Sequence, residues 1–194
     1  MDKCNWCKDG GINEEYHDKE WGIPLHDDRK HFEFLMMEVM QCGLNWTMML
    51  KKRETFRKCF DNFDYEKIAL YEDADIERIM GTEDMIKSVR KIRAVIDNAR
   101  AYKKIIDEFS SFDRFLWGYS EYKSIVYENH RIVPVASNDL SDAVSKELKK
   151  RGFKYLGSIT VYSHLQACGI INDHDVHCFR YQQIIDEYPV EFRR

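Results

Sequence analysis

FLMMEVMQCGLNWTMML, residues Phe34–Leu50, holds one charged side chain, Glu38, in seventeen positions. Phe32, Leu35, Met36, Val39 and Met40 recur at helical spacing, which predicts a helix capped by Asp27 or Asp28 and running to about Cys42. Phe34 and Met37 spread apolar surface onto the remaining faces, so this helix is expected to be buried on most sides. A carboxylate in such a helix must be paired, neutralised or aimed into a pocket, because unpaired burial is costly. Gly43 suits a C-terminal cap, and Asn45 suits the cap of a new helix beginning at Trp46. That turn carries an indole back toward the carboxylate. An acid beside an aromatic plate makes a pocket for a flat, hydrogen-bonding or cationic ligand. The competing reading is a buried Glu38 bonded to backbone amides.

Outward from this stretch, the pattern is helical almost throughout. A second helix is expected from Trp46 to about Phe60, short ones over Asp64–Tyr71 and Asp73–Met80, and the longest over 88–109. Ser110 or Ser111 caps a brief helix ending at Gly118, and 119–136 reads as an extended connector containing Pro134. Two further helices are expected over Asp139–Arg151 and about Gly157–Cys168. Residues 1–27 read as irregular, and no strand pattern competes, so the expected class is all-α.

With 194 residues, 44% of them hydrophobic, the chain can build one substantial core or two small lobes. No apolar run suits a membrane span, and MDKCNWCKDG does not read as a signal peptide, so a cytoplasmic protein is expected. Six cysteines in that setting argue for thiols or metal ligands, not disulfides. The net charge of -4 gives no overall attraction to nucleic acid. Basic residues cluster nevertheless, at Lys51–Arg53 with Arg57 and Lys58, at Lys87, Arg90, Lys91 and Arg93, and from Lys146 to Lys154. Such clusters are either solvated helix faces or phosphate contacts.

Metal-ligand side chains concentrate at the two ends: Cys4, Cys7 and His17, then His174, His177 and Cys178. One turn of helix would present His174 and Cys178 together, and Cys4 with His17 could complete a tetrahedral zinc site. Four protein ligands leave no open position, so such a site would be structural and would pin the termini together. Cys4 and Cys7 also form a CxxC, which leaves a pairing of those two open.

The chain closely resembles the bacterial 3-methyladenine DNA glycosylase I family. The matching stretches are Cys4-x-Trp6, YHDKEWG at Tyr16–Gly22, Glu38 with QCGLNW at Gln41–Trp46, and LKKRETFRKCF at Leu50–Phe60. Further on come KIRAVIDNARAY at Lys91–Tyr102, LKKRGFKYLG at Leu148–Gly157, and YSHLQACGIINDH at Tyr162–His174. The resemblance implies a single helix-hairpin-helix glycosylase domain, with residues 28–118 as the hairpin lobe and 1–27 plus 119–194 as a zinc-stapled terminal lobe. It implies one structural zinc on Cys4, His17, His174 and Cys178, with Cys7 and His177 as bystanders.

The implied activity is hydrolysis of the N-glycosidic bond of 3-methyladenine in alkylated double-stranded DNA, without lyase activity. Glu38 is then the catalytic residue, and Tyr16, Trp46 and Trp6 hold the base. A hairpin ahead of residue 88 would hold a DNA phosphate through backbone amides, helped by Lys87, Arg90 and Lys91. The implied partners are alkylated DNA and the free base, no membrane is involved, and a monomer is expected. Asp84 and Val89 stand where the family's hairpin has glycine and a second basic residue; Asn45 replaces its serine and Ile159 its threonine. A catalytic Asp at the pocket mouth, used by other helix-hairpin-helix families, is not part of this pattern. The alternative function is a non-catalytic binder of alkylated DNA with the same fold. A zinc hydrolase with Glu38 as general base would need an open metal position.

Overall fold

The computed structural model describes residues 1–8, 10–41, 43–131 and 135–194. The chain is mostly helical. Helix α1 spans Gly11–Lys19, after a 3-10 turn at Asn5–Cys7, so the N-terminal segment is more regular than its sequence suggests. Helix α2 spans Asp28–Gln41, and Asp27 caps it by accepting from Lys30 N at 2.7 Å. The expected end at Cys42 lies outside the described residues. Gly43 follows at φ +82, a conformation that suits the glycine at the end of this segment. Residues His31 through Met40 are all buried, as the apolar pattern requires.

The next expected helix is broken in two, α3 at Trp46–Lys51 and α4 at Arg53–Cys59. Asn45 sits at the cap position of α3 with extended backbone, but its side chain makes no capping bond. Helices α5 (Tyr65–Ile68) and α6 (Asp73–Gly81) follow, with Asp64 capping α5 through two backbone amides. Helix α7 spans Val89–Phe109; its apolar stripe, Ile92, Val95, Ile96, Ala99, Tyr102 and Ile105, is buried. Ser88 caps its start and Ser110, at φ +72, ends it. Ser111 caps α8 (Phe112–Trp117). Helices α9 (Asp139–Lys150), α10 (Ser158–Ala167) and α11 (Phe179–Glu187) complete the helical set.

Two short strands correct the all-α expectation. Ser124–Tyr127 (β1) and Val190–Arg193 (β2) pair in parallel, Ser124 opposite Val190. The expected connector therefore contains a strand; its Pro134 lies outside the described residues. Neither strand alternates strongly enough to announce itself at four residues.

One buried apolar cluster runs from Tyr16 through α2 and α7 to α10 and Ile171. Helix α2 lies within it, packing against α3, α7, α8 and α10. Asn98 joins α7 to the loop before α10, donating to Lys154 O at 3.1 Å and accepting from Lys154 N at 2.7 Å.

Candidate active site and metal cluster

Glu38 opens from the buried face of α2 into a cleft of about 390 Å³. The cleft is lined by Trp6, Tyr16, Trp21, Glu38, Gln41, Trp46, Ser163, Gln166 and Asp173. Helix α1 is held to α3 by Asn13 and Thr47, bonded side chain to side chain at 2.9 Å. That contact brings Tyr16 and Trp46 together, their ring centres 5.5 Å apart and tilted by 50°. Trp6 meets Trp21 edge-on at 5.1 Å and remains 42% exposed, so it forms the outer rim. Burial pushes the Glu38 carboxyl up to about 8, which makes it mostly protonated at neutral pH. Tyr16 is pushed up by its own burial first and by the charge of Glu38 second. A carboxyl held in low dielectric beside two aromatic faces can accept hydrogen bonds from a flat ring, and it gains most from a cationic one.

Cys4, His17, His174 and Cys178 are buried together, their donor atoms all within 4.8 Å of one another. Cys4 Sγ lies 3.4 Å from His174 Nδ1; Cys178 Sγ lies 3.4 Å from His17 Nε2 and 3.7 Å from His174 Nδ1. Metal bonds of about 2.3 Å to sulfur and 2.0–2.1 Å to nitrogen would put tetrahedral S···N edges near about 3.6 Å. The donor set and its spacing fit a four-coordinate ion. The outer nitrogens are also oriented: His17 Nδ1 donates to Asp18 at 2.8 Å, and His174 Nε2 to Trp21 O at 3.2 Å. Gly22 explains itself here, because a Cβ would come within 2.4 Å of His174 Nε2. The expected helical turn is absent. His174 and Cys178 lie in a tight loop, and Cys178 is the residue before α11.

A family model described as "Methyladenine glycosylase" matches residues 6–181. The chain belongs to the methyladenine glycosylase family. It is 41% identical over 182 residues to DNA-3-methyladenine glycosylase 1 of Escherichia coli (strain K12), covering 93% of this chain and 97% of that one. A crystal structure of 3-methyladenine DNA glycosylase I superimposes with a TM-score of 0.86 at 40% identity, covering 92% of this chain and 98% of that one. The glycosylase I from Staphylococcus aureus, solved to explain 3-methyladenine recognition, matches at 35% identity and a TM-score of 0.86, covering 92% and 96%.

Trp6, Tyr16, Glu38 and Trp46, expected from the resemblance to hold the base, line one cleft, and the four side chains expected to bind a metal meet in one cluster. Cys7 is buried next to the cluster with its thiol on Cys4 O at 3.2 Å, while His177 turns to Lys3 O at 3.1 Å. The basic residues expected to contact phosphate scatter. Lys91 reaches inward to Met40 O at 2.7 Å. Lys87 curls back onto Met80 O at 2.6 Å and Thr82 O, and Arg90 is exposed at the start of α7. Asp84, where the resemblance led to the expectation of glycine, adopts φ +63 and is held by Lys52.

Sequence reasoning missed Trp21, Gln41, Ser163, Gln166 and Asp173 as lining residues, although all five sit inside quoted motifs. Asp173 accepts from Gln166 at 2.8 Å and from Tyr162. It also missed the fate of Arg53, which binds Glu20 at 2.7 and 2.8 Å and Glu33 at 2.7 Å in a nearly buried network.

Proposed function

We propose that this chain excises 3-methyladenine from alkylated double-stranded DNA, with Glu38 as the catalytic residue and Tyr16, Trp46 and Trp6 holding the extruded base. The observation that carries the reading is the buried carboxyl of Glu38 facing a cleft walled by aromatic rings. Methylation at ring nitrogen 3 leaves the base positively charged in the nucleotide. Water adds to the sugar carbon and loses a proton to solvent, the glycosidic electron pair returns to the base, and the base leaves neutral without being protonated. An abasic site remains. Glu38 need not supply a proton: the cationic base favours loss to solvent of the proton that burial holds on the Glu38 carboxyl. The resulting carboxylate stabilises that base and accepts hydrogen bonds from its edge, while the rings stack on it for about 1–3 kcal/mol each.

The α6–α7 segment acts as the helix-hairpin-helix. Backbone amides at the start of α7 hold a phosphate, with Arg90 as the outward charge and Lys87 and Lys91 as supporting residues. Cys4, His17, His174 and Cys178 would hold one zinc, and with four side-chain donors leaving no position for water its role would be structural. The protein works as a cytoplasmic monomer, with residues 28–118 as the hairpin lobe and the two termini as the zinc lobe. Single-turnover incubation with methylated DNA, followed by identification of the released base, tests the activity. Tight DNA binding without release of free 3-methyladenine would make the chain a binder instead.

A further inference from the structure

Helix α10 ends with a second histidine–cysteine pair at one-turn spacing, His164 and Cys168. His31, in the first turn of α2, completes a group of three whose donor atoms all lie within 4.8 Å of one another. Each of the three is at most 1% exposed. The polar atoms here are poorly served by the protein. His31 Nε2 faces Leu25 O at 3.0 Å and the Asp113 carboxylate at 3.5 Å, which fixes its proton there and leaves Nδ1 with no hydrogen-bond partner among the described residues. His164 has no partner at either ring nitrogen. The Cys168 thiol makes a long contact to Leu165 O at 3.7 Å and meets the backbone of Ile170.

Unsatisfied buried nitrogens are costly, and Phe or Leu would fill the same space without that cost. Convergence of the three donor atoms gives the polar atoms a use. We propose that His31, His164 and Cys168 form a second metal centre for a thiophilic d10 cation, Cu(I) or Zn(II). The ion takes one imidazole nitrogen from each histidine and the thiolate. Coordination displaces the Cys168 proton to solvent and transfers no electrons. Two imidazoles and a thiolate complete a trigonal shell for Cu(I), whereas Zn(II) adds a fourth donor. The Leu25 carbonyl on the far nitrogen of His31 is the outer-shell bond that orients a ligating imidazole.

The placement gives the ion a role without contact to substrate. His31 lies two turns before Glu38 on α2, and His164 sits between Ser163 and Gln166, which line the cleft. The ion braces the two walls of the cleft against each other.

The test titrates the intact protein with Zn(II) alone and, separately, with Cu(I) under anaerobic reducing conditions, counting bound metal after desalting. Wild type should retain one equivalent more of at least one ion than His164→Phe and Cys168→Ala do, and its thermal midpoint should rise with that equivalent. Cys4→Ser should lose a different equivalent, so the two sites separate whatever fills the first. The arm that shows the extra equivalent identifies the ion. Equal counts of both ions in wild type and Cys168→Ala would overturn the proposal, even if His164→Phe failed to fold.

Discussion

The ammonium of Lys91 lies 2.7 Å from the main-chain oxygen of Met40, which fastens the first turn of α7 to the last turn of α2. Helix ends leave carbonyls without intrahelical partners, and a cation there satisfies one of them and favours the helix dipole. Met40 is two residues beyond Glu38. The start of α7 and the cleft around Glu38 are therefore mechanically joined, and Lys91 serves that junction rather than pointing outward.

Lys91→Met should lower thermal stability by about 1 kcal/mol and weaken binding of free 3-methyladenine several-fold, because the end of α2 loses its anchor. Arg90→Ala should leave both unchanged while weakening all DNA binding and reducing its salt slope by about 1. Calorimetry with free base and DNA titrations at several salt concentrations separate the two. Unchanged base affinity in Lys91→Met would dissolve the coupling.

Glu38→Gln removes a buried acid whose carboxyl stands at about 8 instead of the ordinary 4.5. Between those values the folded protein binds a proton that the unfolded chain has lost, so this group's contribution to stability falls as pH rises through that window. The variant should match wild type near pH 4.5 and exceed it increasingly up to about pH 8, by about 2–5 kcal/mol at most. Losing a charge-assisted acceptor should cost about ten- to hundredfold in base affinity. Urea unfolding across pH, with base binding on the same samples, checks both. A destabilised variant that binds the base normally would make Glu38 a structural residue.

Arg53 is a nearly buried cation shared by Glu20 and Glu33, with Arg57 adding a bond of 2.9 Å to Glu33. Arg53→Met should destabilise by about 3–5 kcal/mol, because it strands buried carboxylates. Burial alone would raise Glu20, yet its bond to Arg53 outweighs that and holds it below the usual carboxylate range. The stabilisation is therefore present above about pH 4.5 and lost as pH falls below it. The gap between variant and wild type in thermal melts should narrow in acid; a constant gap would rule out the ionic origin.

The cleft was legible in the sequence because its key parts are local. An isolated Glu38 in an apolar helix, a Gly43 turn and an indole at Trp46 lie within one short stretch. The ligand cluster was legible by residue type, though not its loop geometry. What escaped depends on distant pairing. Ser124 meets Val190 across much of the chain, and two four-residue strands leave no periodic trace of that. Arg53 looked like one more member of a basic run, since nothing local reveals that Glu20 and Glu33 wait beside it. His31 carries no local signal of its own, and only the packing of α2 on α10 brings it to His164.

The last prediction concerns the zinc proposed for the cluster of Cys4, His17, His174 and Cys178. His17 follows Tyr16 on α1, and Trp6 lies between Cys4 and Cys7, so the cluster holds two cleft residues by their sequence neighbours. Without an ion, burial and the neighbouring His17 push the His174 imidazole down to about 3, and burial pushes the Cys4 thiol upward. A bound cation offsets that cost by taking the donor electrons. Cys4→Ser and Cys178→Ser should therefore lose one zinc equivalent, unfold at lower temperature, and bind 3-methyladenine more weakly as Tyr16 and Trp6 loosen. Cys7→Ser should keep the metal and the base affinity, losing about 1 kcal/mol because its buried thiol packs against the cluster without joining it. Metal content, thermal unfolding and base calorimetry on the three variants decide the assignment. Zinc lost from Cys7→Ser and kept by Cys4→Ser would reverse it.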